Sequence, residues 1–282
     1  MPEKPETPES LIGRVAEHLP RGRLGVAFSG GVDSATLTAI AVHVLGAGNV
    51  VAIMAVSPSL ARRERRRAHA TARQIGVELV EVETREGQNE DYQANGTDRC
   101  YFCKSEMFDV IDATVIQEHN LDAVAYGENA DDAARPDRPG ARAATEHQVL
   151  RPLAEAGLTK QDVRAVAAYF GLDVADKPAA PCLASRVPHG LPVNPEKLRQ
   201  IEQLEDTLFD LGFSDCRVRH HEAIARIEVP PAELQMALEH RGAIVAAAKK
   251  VGFQFATLDL GGLQSGAMTL KALAEEGKLR YV

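Results

Sequence analysis

The sequence reads Ser29-Gly30-Gly31-Val32-Asp33-Ser34 between an apolar run, Leu24 to Phe28, and an Ala-rich apolar segment, Ala35 to Leu45. This order predicts a buried strand, a tight glycine turn and the start of a helix. Glycine lets the backbone approach an anion closely and can adopt a positive φ. The free N–H groups at the helix start, together with the helix dipole, would attract that anion. The stretch therefore predicts a phosphate-binding loop.

Side chains of the loop fit the same purpose. Ser29 and Ser34 supply hydroxyl donors, and Asp33 is a candidate ligand for a magnesium ion carried by the phosphates. The stretch has neither the Gly-Lys-Ser/Thr ending of a Walker loop nor the Gly-x-Gly-x-x-Gly of dinucleotide binders. It resembles the PP-loop of the ATP pyrophosphatases, which split ATP into AMP and pyrophosphate to activate an oxygen by adenylation. The alternative is an ordinary strand-to-helix turn.

Length and composition narrow the class of protein. A chain of 282 residues can form one large domain or two of ordinary size, and 45% apolar residues suffice for a core. No stretch predicts a membrane span or a secretion signal, so we expect a soluble cytoplasmic protein. The net charge of −8 gives no support for a nucleic-acid partner. The Pro- and Glu-rich residues 1–10 predict a disordered tail.

Strand and helix patterns alternate after the loop. Val50 to Val56, Val77 to Val82 and Leu121 to Tyr126 predict buried strands, with a helix from about Leu60 to Ile75. This alternation predicts an α/β fold with a doubly wound parallel sheet, whose ligands bind at the carboxyl ends of the strands. The helix carries a basic run, interpreted as a solvated face with a polyanion contact as the alternative; its members are Arg62, Arg63, Arg65, Arg66 and Arg67.

A second glycine turn, Gly127-Glu128-Asn129-Ala130-Asp131-Asp132, follows the last of these strands. Carboxylates beside a phosphate loop would repel ATP unless a cation lay between them, so the turn implies Mg²⁺. A solvated acidic loop is the alternative reading. The Arg-, Pro- and Gly-rich segment from Ala133 to His147 is predicted to be mobile.

The C-terminal part predicts a smaller α+β domain for substrate or oligomer contacts. Alternating polar and apolar residues in Arg217 to His220 and Ala225 to Val229 predict paired, half-buried strands. The predicted division is a tail over residues 1–10, a nucleotide domain over 11–186 and the α+β domain over 187–282. Helices are expected over Leu158 to Phe170, with Thr159 as N-cap, over Pro195 to Leu211 and over much of Pro231 to Val251, and a last strand over Phe253 to Leu258.

Four cysteines are too few for a disulfide framework. Cys100 and Cys103 form a C-x-x-C, and Cys182 follows far along the chain. Three thiolates can hold an iron–sulfur cluster with one iron left open; structural zinc would need a fourth ligand; direct thiol chemistry is the third reading. Cys216, in a predicted strand, is interpreted as a small buried hydrophobe.

Together these motifs resemble the LarE family over nearly the whole chain after residue 10. The resemblance implies ATP-dependent sulfur insertion into pyridinium-3,5-biscarboxylic acid mononucleotide, for the nickel-pincer cofactor of lactate racemase. Besides the two glycine loops, it is carried by Arg99 to Lys104, Pro181 to Arg186, Val218 to His221, Ala225 to Val229, Leu258 to Leu260 and Ser265-Gly266.

The resemblance also implies residue roles. Some family members give up the sulfur of a cysteine at the position of Cys182, whereas three-cysteine members carry a [4Fe-4S] cluster with an extra sulfide on its open iron. ATP and Mg²⁺ would be held by the two loops, and sulfide or another sulfur donor would recharge the cluster of a homo-oligomeric enzyme. The implied residues are Ser29, Gly30, Gly31, Asp33, Ser34 and Gly127 for ATP; Asp33 and Asp132 for magnesium, with Glu128; Cys100, Cys103 and Cys182 for the cluster; and Arg186, Arg217, Arg219, Glu205 and Glu228 for substrate.

Competing functions stay open at this stage. A PP-loop enzyme that thiolates tRNA can also use three cysteines and a cluster, but a broad basic surface would be expected. An ammonia-using synthetase of the same fold would not need the cysteines. A non-enzymatic nucleotide-binding module would need neither the thiols nor the carboxylates.

Overall fold

The computed structural model describes residues 6–135 and 139–263. The chain divides into two compact units, described separately below. The first unit comprises Met1–Ser57, Arg62–Glu86 and Cys100–Ala180, and the second comprises Pro58–Ala61, Gly87–Arg99 and Pro181–Val282. The finer domain bounds expected from sequence stay predictions.

The elements follow the predicted alternation. The strands are β1 (Leu24–Ala27), β2 (Val50–Val56), β3 (Glu78–Glu83), β4 (Ala123–Tyr126), β5 (Arg217–His221), β6 (Ile224–Glu228) and β7 (Phe255–Leu258). The helices are α1 (Pro8–Ala16), α2 (Val32–Leu45), α3 (Arg62–Ile75), α4 (Glu90–Ala94), α5 (Arg99–Val110), α6 (Ile116–Glu118), α7 (Ala130–Ala133), α8 (Pro139–Glu146), α9 (Pro152–Glu155), α10 (Lys160–Tyr169), α11 (Pro195–Asp210), α12 (Leu234–Glu239) and α13 (Arg241–Val251). A π-helical segment, Ile111–Val115, joins α5 to α6, and short 3₁₀ turns lie at Ala47–Asn49, Glu86–Gln88, Leu183–Arg186 and Pro231–Glu233.

In the described part of the first unit, a four-stranded sheet has the order β3-β2-β1-β4. All three strand pairs are parallel, which confirms the predicted α/β class. β1 is buried along its whole length and β2 along most of it, as expected for apolar runs in a sheet that helices cover on both faces. The loop Ser29–Ser34 follows the carboxyl end of β1, at the centre of this sheet.

The helices of the first unit start where the sequence supplies caps. Thr159 caps α10 in a capping box, because its side chain accepts a hydrogen bond from the Asp162 N–H while Asp162 reaches back to the Thr159 N–H. Thr7 caps α1, so this helix begins inside the predicted disordered tail; residues 1–5 lie outside the described residues. Across the described ranges, no helix is long and apolar enough to cross a bilayer.

A helix, α8, occupies part of the Ala133–His147 segment, which the sequence predicts to be mobile. Its small residues Gly140, Ala143 and Ala144 are buried, and the last two belong to the core formed with Phe108 and Tyr126. A side chain at Gly140 would meet the Lys104 side chain at 2.8 Å. The small residues therefore allow the helix to pack closely, and the mobility of the segment stays a prediction.

The second unit contains a small three-stranded sheet of order β5-β6-β7, with β5 antiparallel and β7 parallel to β6. The paired strands are confirmed, but β5 is buried on both faces rather than half-buried. Its arginines, Arg217 and Arg219, are 7% and 6% exposed. A polar strand face was read as solvent-facing, whereas carboxylates of the same unit accept its hydrogen bonds inside the protein.

The basic run on α3 forms ion pairs at the surface of the first unit. Arg65 donates a bidentate pair of hydrogen bonds to Glu81 on β3, and His69 also contacts Glu81, at 2.7 Å. Arg67 pairs with Glu64 at 2.9 Å. These contacts support the interpretation of the basic run as a solvated helix face, in which Arg65 and Arg67 form ion pairs with acidic residues of the same unit.

The Glu81 cluster predicts a pH-dependent contribution to stability. Hydrogen bonds from Arg65, assisted by His69 and opposed by burial, lower the pKa of Glu81 from 4.5 to about 2. Because the folded-state pKa lies below the unfolded one, the stabilisation is complete above pH 4.5 and is lost as the pH falls towards 2. We expect Glu81→Gln to lower Tm at pH 7 by no more than about 4 °C, since the pair is partly exposed.

Thermal unfolding at pH 7, 5 and 3 checks this expectation. The Tm difference between wild type and Glu81→Gln should shrink at pH 3. Glu196→Gln, which removes an exposed i,i+3 pair with Arg199, is the control for a helix-surface pair without β-sheet contacts. A constant difference at all three pH values would contradict the assigned role of Glu81.

Candidate active site

The phosphate-binding loop has the predicted backbone. Gly31 is the N-cap of α2 in an extended conformation, and within the described chain no side chain caps this helix start. The first N–H groups of α2 therefore remain available to an anion. Gly30 has φ +68°, and a Cβ there would lie 2.7 Å from the Ala68 Cα. Both the dihedral angle and the close approach of α3 require glycine at this position.

The two loop serines hold the turn in shape. The Ser29 N–H donates to Ser34 Oγ at 3.2 Å, and Ser34 Oγ donates to the Gly31 carbonyl at 3.2 Å. The Gly31 N–H donates to Ser29 Oγ at 3.3 Å. The hydroxyls thus preorganise the loop from within, and each also lies next to the N–H groups that would meet a phosphate.

The second glycine turn lies directly against this loop. A Cβ at Gly127 would be 2.6 Å from the Ser34 nitrogen and 2.7 Å from the Asp33 carbonyl carbon. Any larger residue would push the loops apart. Gly127 is therefore assigned a packing role, which brings the acidic residues that follow it to the phosphate loop.

Asn129 joins the carboxylates of the two loops. Its Nδ2 donates to Asp33 Oδ1 and to Asp132 Oδ2, each at 2.9 Å, and its Oδ1 accepts from the Asp132 N–H at 3.0 Å. The residue is 1% exposed. Asp33 and Asp132 are thus held on either side of one amide. Two carboxylates with phosphate oxygens form the coordination that Mg²⁺ favours in phosphate-transfer sites.

Lys160, which the sequence reading did not select, lies at the same place. Its Nζ forms an ion pair with Asp33 Oδ2, and its backbone N–H donates to Asp131 Oδ2 at 2.8 Å. Lys160 is the first residue of α10, immediately after the Thr159 cap. The sequence signal that could have identified Lys160 is its position at a predicted helix start, after the acidic loop in the chain. Nothing in its local sequence indicates Asp33 as its partner.

Glu128 is buried beside this group, at 3% exposure. Its Oε2 lies 3.8 Å from a guanidinium nitrogen of Arg151 and has no hydrogen-bond partner among the described residues. A buried carboxylate oxygen without a donor is energetically costly unless a cation compensates it. Arg151, a second residue absent from the sequence reading, supplies that positive charge.

In the second unit, Arg186 and Glu205 form a buried bidentate ion pair. Nε donates to Oε1 at 2.9 Å and one terminal nitrogen donates to Oε2 at 3.1 Å. The other terminal nitrogen donates to the carbonyls of Pro181, at 2.6 Å, and Cys182, at 3.2 Å. Burial opposes the charge, but the carboxylate of Glu205 raises the pKa of Arg186. Arg186 therefore supports the cysteine segment directly.

Arg219 and Glu228 form a second buried pair. An Arg219 nitrogen donates to Glu228 Oε2 at 2.8 Å, and another donates to the Ser185 carbonyl at 3.2 Å. Arg226 reaches the other oxygen of Glu228 at 3.0 Å. Arg217 pairs with Asp215 and donates to the Cys216 carbonyl at 2.7 Å. Arg186 and Arg219 thus pair with buried carboxylates and both contact carbonyls of residues 181–185, whereas Arg217 pairs with the partly exposed Asp215.

The cysteines differ in accessibility. Cys100 and Cys182 are exposed, Cys103 is partly exposed and Cys216 is buried, all as free thiols. Burial raises the pKa of Cys216 well above its usual range, which confirms its reading as a buried apolar side chain. Cys100 and Cys103 belong to the first unit and Cys182 to the second. Among described residues, no three His, Cys, Asp or Glu side chains gather into a metal site.

The predicted residues therefore fall into two groups. The first unit brings together the phosphate loop, Gly127, Glu128 and Asp132, with Asn129, Lys160 and Arg151 added by the structure. The second unit brings together Cys182, Arg186, Glu205, Arg219 and Glu228, with Arg217 alongside. The motif residues Ser265-Gly266 lie outside the described residues.

The sequence of this chain is similar to those of several known proteins. The NAD synthase family model matches residues 11–100, which contain the phosphate loop. An uncharacterized protein of Synechocystis sp. is 42% identical over 245 residues, covering 86% of this chain and 90% of the relative. An uncharacterized protein of Methanocaldococcus jannaschii is 25% identical over 250 residues, covering 89% and 94%.

A characterised relative fixes the assignment. The pyridinium-3,5-bisthiocarboxylic acid mononucleotide synthase of Lactiplantibacillus plantarum, LarE, is 34% identical over 246 residues, covering 87% of this chain and 88% of the relative. An alignment of 246 residues is longer than either unit, so the similarity extends over both. The chain therefore belongs to the LarE family and is an ATP-utilising enzyme with a PP-loop domain.

Proposed function

We propose that this enzyme is an ATP-dependent sulfur transferase that converts a carboxylate of pyridinium-3,5-biscarboxylic acid mononucleotide into a thiocarboxylate. The observation that carries the proposal is the phosphate loop with its Asn129-bridged carboxylates, in a chain that also exposes Cys182 on a segment fixed by buried arginines. Membership of the LarE family supports the choice of substrate. We further propose a cytoplasmic homo-oligomer.

The first half-reaction is adenylation. A substrate carboxylate oxygen attacks the α-phosphorus of ATP, the bond to the β-phosphate bridge oxygen breaks, and pyrophosphate leaves. N–H groups of Gly31 and the start of α2 hold the phosphates, with the Ser29 and Ser34 hydroxyls as further donors. Asp33 and Asp132 hold Mg²⁺, which supplies charge neutralisation when bound. Lys160 and Arg151 place positive charge next to the carboxylates that a polyphosphate would otherwise meet.

The second half-reaction transfers sulfur. A sulfur nucleophile attacks the acyl carbon and AMP leaves, so that the C–O bond to AMP is replaced by a C–S bond. We propose that Cys100, Cys103 and Cys182 hold a [4Fe-4S] cluster, which supplies sulfide when bound and is recharged by an external sulfur donor. The number of thiols supports this proposal, because three accessible cysteines equal the three ligands of a cluster with one open iron.

The alternative is a sacrificial cysteine. The Cys182 sulfur would itself attack the acyl carbon, giving a thioester after AMP leaves. Loss of the Cys182 α-proton to a base and cleavage of the Cβ–S bond would then release the thiocarboxylate and leave dehydroalanine. Both routes need Cys182 in place, and they differ in what happens to its mass.

We propose that the substrate phosphate and carboxylates are bound by Arg186, Arg217 and Arg219, at a site that Glu205 and Glu228 also line. Guanidinium groups suit these anions because they donate two parallel hydrogen bonds. Each arginine already contacts a carboxylate or a carbonyl within the second unit, so an incoming anion would meet preoriented donors. Arg186, held by Glu205, also orients the cysteine segment.

Removal of Lys160 should slow adenylation. We expect Lys160→Met to reduce substrate-dependent ATP–pyrophosphate exchange by about 100-fold, the usual effect of losing one charge-stabilising donor. Lys160→Arg should retain part of the rate. Lys177→Met is the matched control, because Lys177 also pairs with a carboxylate of the same unit, Glu64, which belongs to neither glycine loop. Equal exchange rates in Lys160→Met and wild type would contradict the role of Lys160.

Metal analysis and mass spectrometry decide the sulfur source. Anaerobic enzyme should contain about four irons per chain, and Cys182 should keep its mass after turnover with ATP and substrate. Serine at any one of the three cysteine positions should lower iron content, whereas Cys216→Ser should leave it unchanged. Absence of iron, with one hydrogen sulfide missing at Cys182, would establish the sacrificial route. Sulfur incorporated into tRNA but not into the pyridinium mononucleotide would reject the proposed substrate.

A further inference from the structure

A buried asparagine, Asn95, organises the chain that follows the cysteine segment. It is 0% exposed and adopts a left-handed conformation, φ 58°, at the end of α4. Its Nδ2 donates to the carbonyls of Pro188 at 2.8 Å, Leu191 at 2.9 Å and Val187 at 3.3 Å. The backbone carbonyl of Asn95 accepts a hydrogen bond from the Gly190 N–H at 3.1 Å. One side chain thus holds the residue 187–191 loop to α4.

Arg99 extends this contact to the turn that carries Cys182. It is 6% exposed, and one of its terminal nitrogens donates both to Asn95 Oδ1 and to the Ala184 carbonyl, the latter at 2.9 Å. Asn95 therefore accepts from Arg99 through its oxygen while its nitrogen donates to the following loop. Neither residue has a role in the function proposed above.

These contacts complete a set of anchors around the cysteine. Arg186 binds the carbonyls of residues 181 and 182, Arg99 that of residue 184 and Arg219 that of residue 185. The Leu183 N–H donates to the Ser59 carbonyl at 2.9 Å. Every residue from 181 to 185 thus has a backbone group held within the second unit, while the Cys182 side chain remains exposed.

We propose that Asn95 and Arg99 are positioning residues for sulfur transfer, which keep Cys182 on a fixed turn instead of a mobile arm. The inference rests on the proposed function and applies to both sulfur sources, since both need Cys182 in one place. The acyl-adenylate has a competing fate: water attacks the acyl carbon, AMP leaves and the carboxylate is regenerated. Correct placement of the sulfur is what lets transfer outrun this hydrolysis.

The distinguishing measurement is the amount of thiocarboxylate formed per AMP released. Asn95→Asp keeps the acceptor for Arg99 but replaces the NH₂ donor with a carboxylate facing three carbonyls. Arg99→Lys keeps the charge but loses the planar fork. We expect each to lower the ratio by about 10-fold or more, while AMP release with substrate stays within about 3-fold of wild type, because misplacement by about 1 Å can cost 100-fold in a positioned reaction.

Lys197→Met is the matched control. Lys197 is also a buried cation of the second unit, and it donates to the Pro192 carbonyl at 3.0 Å and pairs with Glu222, without contacting residues 181–191. A general loss of stability in this unit would lower both products together and leave their ratio unchanged. Hydrogen exchange of the 183–191 amides in each anaerobically purified variant adds a readout independent of activity, and it should rise in Asn95→Asp and Arg99→Lys but not in Lys197→Met.

The possible outcomes distinguish a failure of the proposed function from a failure of the positioning role of Asn95 and Arg99. Wild-type enzyme that releases no AMP with the pyridinium substrate, or that forms no thiocarboxylate, would reject the proposed function. Wild-type enzyme that is active, with an unchanged product ratio in both variants, would overturn the positioning role. If either variant is too unstable for turnover, unchanged exchange of residues 183–191 in the other variant overturns it as well.

Discussion

The bidentate contact between Arg186 and Glu205 is the interaction on which the second unit's site depends. Glu205 lies on α11, and besides Arg186 its Oε1 accepts a hydrogen bond from the Val218 N–H of β5 at 2.9 Å. One buried carboxylate therefore joins a helix, a strand and the cysteine turn. Removing either partner would leave an uncompensated charge in the interior, which costs far more than the net strength of the pair. The cysteine turn therefore keeps its conformation, because any conformation that separates Arg186 from Glu205 would leave both charges buried without a partner.

The first unit solves an opposite electrostatic problem. Its phosphate loop must accept a polyanion beside Asp33, Asp132 and Glu128, and without compensation these carboxylates would repel it. Asn129 spaces two of them, Lys160 neutralises Asp33 and Arg151 approaches Glu128. Mg²⁺ would replace the lysine as the partner of Asp33 when nucleotide arrives. The ion pair of Lys160 thus offsets the charge of Asp33, and Mg²⁺ would offset it when nucleotide is bound.

Local sequence patterns predicted much of the fold and of the candidate site, whereas contacts between distant residues became visible only in the structure. The parallel sheet, the phosphate loop, the N-cap at Thr159 and the burial of Cys216 follow from runs of residues close together in sequence. Lys160 and Arg151 were missed because their partners are 127 and 23 residues away, with no spacing rule to connect them. The arginines of β5 were read as half solvent-facing because alternation carries no information about buried carboxylates. α8 was not predicted, because the Arg, Pro and Gly content of its segment was taken to indicate mobility, whereas its small residues allow close packing.

Contacts between residues distant in sequence also fix the turn that carries Cys182, and this affects the efficiency of sulfur transfer. The prolines at positions 178 and 181 lie in an exposed stretch that leads to Cys182, and the sequence suggests that they fix this approach. Proline restricts the backbone without supplying donors, so it cannot fix a turn by itself. Three guanidiniums donate to the turn's carbonyls, and each is buried, where a hydrogen bond to a charged donor is strongest and least exchangeable with water. A reactive acyl-adenylate lasts only as long as water is slower than its intended nucleophile. Rigidity at Cys182 therefore serves chemistry as well as stability, and Arg99 and Asn95 contribute to it from outside the recognised motif residues around Cys182.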